Sequence, residues 1–240
     1  MIILIDIGNT RAKYCTINKS EKGKITVIEN QFLSGNYLND NFIGARKIII
    51  ASVSHIKMVE DIKQWCRNNN IIFQEVTSEK TKRKVKSGYS VPNQLGVDRW
   101  LSIIGTVQLY PNKNVLIIDA GTATTVDFVN ANGEHQGGWI LAGISLLIQS
   151  VLSKTANVKI EDTNTDNLLF GVNTTENVNN AAWAATVGTI IVAVEQLKLK
   201  GYNLDEIILT GGNAVKLSEH LSYKSRVIDD LIFTGLQAYI

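Results

Sequence analysis

The 240-residue chain is expected to fold as an α/β protein of two related domains, each a mixed sheet flanked by helices, with a cleft between them. Two stretches, ILIDIGNTRAKYC at 3–15 and LIIDAGTATTVDF at 116–128, share one plan. Each is an apolar strand ending in aspartate, a glycine two residues on, small polar residues, and a second strand. Each is followed by a third strand-like run and then by alternating helix and strand patterns. The runs IILID and NVLIID are apolar on both faces, as strands covered by helices on each side must be.

In the first half, strands are expected at 2–6, 11–18 and 24–29, joined by turn chemistry at Gly8–Asn9 and across 18–23. KIIIAS at 47–52 reads as a further strand. A helix follows near 56–68, where Ile56, Val59, Ile62 and Trp65 recur every three residues. A strand at 71–76 and a helix at 97–110 complete this half. Pro111 and Asn112 end that helix, so the domains are expected at 1–112 and 113–240. The second half repeats the order with strands at 115–119, 123–129 and 135–141. Helices at 143–154 and 177–199, a strand at 206–210, a short helix after Gly212 and a last helix over 229–239 follow.

A net charge of +2 is too small for a dedicated nucleic-acid binder. Cys15, Cys66 and the histidines His55, His135 and His220 make no metal-ligand spacing, and both cysteines read as reduced core or near-core residues of a cytoplasmic protein. The first residues lack the features of a secretory leader. The apolar run at 181–194 is shorter than the ~20 residues a spanning helix needs, so no membrane is expected as a partner.

In each repeated turn the aspartate sits at the end of its strand, and Gly8 or Gly121 is expected to take a positive φ. Such a turn presents backbone N–H groups to phosphate oxygens. Asn9, Thr10, Thr122 and Thr124 add neutral donors. Asp6 and Asp119 would repel phosphate directly and make sense as partners of the cations that neutralise it, Mg²⁺ included. Two such turns facing each other would grip a nucleoside triphosphate. No G-x-x-x-x-G-K-[ST] occurs, nor a G-x-G-x-x-G after a strand.

This arrangement resembles the superfamily of acetate kinases, sugar kinases, Hsp70 chaperones and actin, which implies two actin-like (ribonuclease H-like) domains. The similarity is closer to one member family, the type III pantothenate kinases. DIGNTRAK (6–13), GVDR (96–99), DAGTATTVD (119–127), GGWILAG (137–143), GVNT (171–174), TGG (210–212) and DLIFTGL (230–236) carry it, in the family's order. The chain departs from the family at Ala142, where proline is usual, and at Asn180–Ala181, where Ser-Gly is usual.

The resemblance implies ATP-dependent phosphorylation of pantothenate to 4'-phosphopantothenate, the first step of coenzyme A biosynthesis. It implies Asp98 as the general base. Tyr89, Gly96, Val97, Asp98, Arg99 and Thr174 fall at pantothenate contacts. Asp6, Ile7, Gly8, Asn9, Thr10, Arg11, Ala12, Lys13 and Thr122 fall on the ATP side. It implies Mg²⁺ with ATP, met by Asp6 through water, a monovalent cation (K⁺ or NH₄⁺) at Asp119, and a homodimer with the helix around 181–199 at the contact.

Read without the resemblance, Asp98 complements the dipole of a helix N-terminus and Arg99 pairs on the surface. Asp127 pairs within its hairpin, and the basic run KTKRKVK at 80–86 is a solvated loop that can also steer anions. The rival functions are a non-catalytic ATP-binding regulator on the same fold, or a kinase of another small hydroxy acid.

Overall fold

The computed structural model describes residues 1–19, 21–53, 56–153 and 166–240. They form two compact units, Met1–Leu109 with Asp230–Ile240, and Tyr110–Asp229. The expected end of a helix at residue 154 and His55 lie outside the described residues.

The first unit starts with β1 (Ile2–Ile7), antiparallel to β2 (Arg11–Asn18). The expected third strand is split into β3 (Glu21–Lys22) and β4 (Thr26–Glu29), both paired with β2. A helix α1 (Gly35–Phe42) follows, then β5 (Lys47–Ser52), parallel to β1 on its other side. The helix α2 (Ile56–Asn68) crosses over to β6 (Ile72–Glu75), parallel to β5. Its Val59, Ile62 and Cys66 are buried against Ile3, Ile5, Ile48 and Ile50 of the sheet. The basic run is an antiparallel hairpin, β7 (Thr81–Lys82) with β8 (Val85–Lys86), turning at Arg83 with φ of 51°. Then comes α3 (Val97–Leu109).

The second unit repeats the topology. β9 (Val115–Ala120) is antiparallel to β10 (Ala123–Val129), which pairs with β11 (His135–Ala142). After α4 (Ile144–Leu152) and α5 (Thr174–Leu199), β12 (Glu206–Thr210) runs parallel to β9. A short α6 (Ala214–His220) leads to β13 (Arg226–Val227), parallel to β12. The sheet orders β3-β2-β1-β5-β6 and β11-β10-β9-β12-β13 correspond strand for strand from the outer hairpin inwards. That is the duplication the two D-x-G stretches foreshadow.

The helix α5 begins three residues before its expected start, because the Asn173 side chain accepts from the Glu176 N–H. The Glu176 carboxylate reaches back to the Val172 N–H and the Asn173 amide, a reciprocal cap. With its polar first turns the helix reaches 26 residues and is long and apolar enough, by length and composition, to cross a membrane. A core helix can have the same length and composition, and 44% of this helix's most apolar stretch is buried within the unit. Trp183, Val187, Ile190, Val194 and Leu197 are buried in the core with Leu116, Ile118, Val126 and Phe128 of the sheet.

The chain ends in α7 (Leu231–Leu236) and a 3-10 turn, Gln237–Tyr239. The expected division placed these residues in the second domain, whereas they pack in the first unit. The cause is two glycines. A methyl at Gly105 would collide with the Leu231 carbonyl, and one at Gly235 with the Leu101 carbonyl, so the backbones of α3 and α7 touch. Cys15 and Cys66 are free and fully buried, and burial pushes both thiols up to about 11, which keeps them protonated and unreactive.

Candidate active site

The candidate residues divide between the units. In the first, β1 and β2 bring Asp6 opposite Lys13 and Ile7 opposite Ala12 in register, and Gly8 to Arg11 form the connecting turn. The Gly8 N–H donates to the Arg11 carbonyl at 3.0 Å. Gly8 and Gly121 do not have the positive φ expected of them. Gly8 serves close approach instead, since a Cβ there would lie 3.2 Å from the Arg11 oxygen. Asn9, Thr10, Arg11 and Lys13 are exposed, whereas Ile7 and Ala12 are buried beneath them.

Sequence reasoning missed Asn30. Its side-chain amide donates to the carbonyls of Gly8 (2.9 Å) and Asn9 (3.1 Å), and its backbone N–H donates to the Thr10 carbonyl (3.1 Å). The acceptor groups of the turn are thereby drawn to one side, the arrangement an anion-binding loop requires. No motif marks Asn30. It is a single amide at the end of β4, placed here by the pairing of Glu29 with Arg11.

The second cluster of this unit lies at the start of α3. The Asp98 carboxylate accepts from the Arg99 backbone N–H at 2.7 Å. A Cβ on Gly96 would come within 2.6 Å of the same carboxylate oxygen, so glycine makes the space it occupies. Arg99 is 5% exposed, and so is not the surface residue expected without the family resemblance. Its guanidinium donates to the Tyr89 hydroxyl at 2.9 Å. A half-buried carboxylate, a buried guanidinium and a phenol therefore share one neighbourhood, in which a small hydroxy acid can find a hydrogen-bond acceptor and an anion partner.

In the second unit the turn is built from glycines. The Gly121 N–H donates to the Ala123 carbonyl, and the Gly143 N–H to the Thr122 carbonyl, each at 3.0 Å. A methyl at Gly143 would collide with the carbonyls of Gly121 and Thr122. Gly211 of the TGG motif has φ of +89°, and a Cβ there would lie 2.5 Å from an Asp119 carboxylate oxygen. The Asn213 N–H adds a bond to the Ala120 carbonyl at 3.1 Å. Three distant motifs thus close around Asp119 and leave Thr122 exposed. Thr174 is exposed at the first turn of α5, where Asn173 is the cap.

Among the described residues no cluster of three or more His, Cys, Asp or Glu side chains can hold a metal ion alone. Mg²⁺ suits such a site nonetheless, because it keeps several waters and takes one or two carboxylates together with substrate phosphates. Asp127 pairs with His135 at 2.8 Å, both buried, across the β10–β11 hairpin. Asn180, one of the departures from the family pattern, is buried and donates to the Leu169 carbonyl at 2.9 Å.

Comparison with known proteins identifies the family. The model of the type III pantothenate kinase family matches residues 2–196. A type III pantothenate kinase of Colwellia psychrerythraea is 44% identical, with all of both chains covered. One of Pseudoalteromonas translucida is 33% identical, over 98% of this chain and 94% of its own. Among solved structures, the fold is shared with a putative Baf family transcriptional activator from Campylobacter jejuni. Its TM-score is 0.60 at 20% identity, over 98% of this chain and 95% of that one. A putative 2-dehydro-3-deoxygalactonokinase from Sinorhizobium meliloti has TM-score 0.61 at 10% identity, over 99% and 97%. The family match over most of the chain and the full-length relatives agree, and the chain belongs to the type III pantothenate kinase family.

Proposed function

We propose that the chain transfers the γ-phosphoryl group of ATP to the primary hydroxyl of pantothenate, giving ADP and 4'-phosphopantothenate, the first step towards coenzyme A. The observation that carries this reading is the family match over residues 2–196, which takes in both D-x-G turns and the Asp98–Arg99 pair. Asp98 accepts the hydroxyl's hydrogen and orients its oxygen. Phosphoryl transfer passes through a loose transition state, so aim matters more than early deprotonation. Arg99, set by Tyr89, binds the pantothenate carboxylate, and Gly96, Val97 and Thr174 complete the acceptor's contacts.

The residues Asp6 to Lys13 and Thr122 hold the phosphates, with Asn30 keeping the first turn's carbonyls away from them. Mg²⁺, met by Asp6 through water, supplies charge neutralisation at the phosphates. Asp119, whose carboxylate lies beside Gly211, would hold a monovalent cation, K⁺ or ammonium. The protein works in the cytoplasm as a homodimer, without nucleic-acid or membrane partners. Its contact is the exposed face of α5 with Ala181, Ala184, Ala185 and Val192.

The test is ADP release from Mg-ATP with and without pantothenate, in K⁺ and then in Na⁺ buffer. Pantothenate-dependent release that needs K⁺ is expected, together with at least a ~100-fold loss on Asp98→Asn, the lower range for a positioned general base. ATP binding with no release in either buffer would overturn the kinase reading. Near-normal turnover by Asp98→Asn would overturn the assignment of the base.

A further inference from the structure

We propose that Tyr239 is a positioning residue for the pantothenate-side group Tyr89, Asp98 and Arg99, acting through a hydroxyl that joins the two segments carrying them. The inference rests on the roles proposed above for those three residues. Tyr239 is 6% exposed. Its hydroxyl accepts from the Trp100 indole N–H at 3.0 Å and donates to Glu79 Oε1 at 2.8 Å. Trp100 is fully buried and follows Arg99 directly, so holding its indole sets the rotation of the first turn of α3.

Glu79 stands at the other segment's start. From it the chain enters the β7–β8 hairpin, which the Ser87 N–H closes by donating to the Lys80 carbonyl at 2.9 Å. The Ser87 hydroxyl then accepts from the Tyr89 backbone N–H at 3.3 Å. Since Arg99 reaches the Tyr89 hydroxyl, the contacts make a closed ring: Tyr89, Arg99, Trp100, Tyr239, Glu79, the hairpin, and Tyr89 again. A ring of this kind resists the small shifts that degrade a binding geometry.

Tyr239 is itself fixed. Its carbonyl accepts from Lys47 Nζ at 2.8 Å, and Lys82 Nζ lies 3.8 Å from its ring centroid. Burial and the Glu79 bond raise the phenol above its ordinary pKa, so it stays protonated and can donate and accept at once. Neither Tyr239 nor Glu79 belongs to the reacting group; each acts only through the segments it holds.

Tyr239→Phe removes one oxygen and keeps the ring. The expected result is a KM for pantothenate raised about tenfold with the KM for ATP within about twofold of wild type, as losing one buried hydrogen-bonded hydroxyl implies. Glu79→Ala should reproduce that split, Glu79→Gln should restore it by keeping an acceptor, and the Tyr239→Phe/Glu79→Ala pair should be no worse than either alone. Equal changes in both KM values, or a lowered Tm with both KM values intact, would overturn the proposal. Should Tyr239→Phe not fold, the Glu79 variants decide it by the same split. If the wild type turns over no pantothenate, the functional reading itself falls. Backbone amide exchange then decides: faster exchange at 87–89 and 97–100 in Glu79→Ala than in wild type upholds the positioning role, and equal exchange removes it.

Discussion

The two D-x-G turns stand at the same place in the same strand order, yet they are held by different devices. The first, Gly8 to Arg11, is clamped from outside by one side chain, Asn30, which takes the carbonyls of Gly8 and Asn9. The second, one residue shorter, is clamped by backbone against backbone: Gly143 on the carbonyls of Gly121 and Thr122, and Gly211 against Asp119 and Ala120. A side-chain clamp loses its hydrogen bonds one increment at a time. A glycine clamp has no increments, because the smallest addition, a single methyl, already collides. The duplicated turn is therefore tunable in one unit and close to all-or-none in the other.

The largest effect should follow from adding a methyl to the second turn. Gly143→Ala would force apart two carbonyls that nothing flexible can vacate, and overpacking of that kind costs about 1–3 kcal/mol or more. Urea unfolding should show that loss, and ADP release should fall at least as far. Gly211→Ala adds the strain of a left-handed φ to a similar collision, and should be no milder. If either variant kept wild-type stability and turnover, the glycine clamp would be a misreading.

Exchanging the cation should separate the turns by chemistry. Asp119→Asn is expected to lower turnover in K⁺ buffer to the level wild type reaches in Na⁺ buffer, because on the proposed assignment the lost charge is the one that would hold that cation. Asp6→Asn should instead weaken the Mg²⁺ response and leave the K⁺-to-Na⁺ ratio as in wild type. Titrating each metal against ADP release checks both arms, and identical behaviour of the two variants would mean that the aspartates are not specialised.

Truncating the side-chain clamp comes next. Asn30→Ala removes two hydrogen bonds to the first turn, and at roughly 0.5–1.5 kcal/mol each it should cost about 1–3 kcal/mol in total. The KM for ATP should rise several-fold with the KM for pantothenate unchanged. Initial rates at varied concentrations of each substrate make the distinction.

How much of this was legible in the sequence follows from where each signal lies. The strands β1, β5 and β12 and the helix α2 were readable because burial writes itself into local pattern: continuous apolar runs in one case, spacing of three in the other. The helix α1 was not, since GNYLNDNF is mostly polar and only Leu38 and Phe42 are buried, where Phe42 packs edge-on against Tyr14 and Tyr37. A strand of two residues such as β13 has no period to read. The motifs located the turns but not what holds them. Asn30 lies 22 positions after Gly8, and Gly211 follows Asp119 by most of a domain, so both contacts exist only once the sheets have formed. The expectation of a positive φ at Gly8 and Gly121 failed for a related reason: glycine there answers to a neighbouring carbonyl or a tight turn rather than to left-handed backbone. The return of Asp230–Ile240 to the first unit was likewise invisible, because it depends on two helices touching through Gly105 and Gly235.

The smallest effect is the sharpest test of the contrast. Gly8→Ala places a methyl 3.2 Å from the Arg11 carbonyl, a few tenths of an ångström too close, in a turn whose next three residues, Asn9, Thr10 and Arg11, are exposed. Gly8 has no left-handed φ to lose, so the substitution adds no backbone strain. It also narrows the unfolded ensemble, a gain of about 0.4–1 kcal/mol for Gly→Ala where the conformation allows it. The crowding and the gain oppose each other, and stability should stay within about 0.5 kcal/mol of wild type. The KM for ATP should move by less than in Asn30→Ala, since Asn30 still holds both carbonyls. Damage as severe as that of Gly143→Ala would mean that the first turn, too, is held by backbone contact, and that its side-chain clamp is incidental.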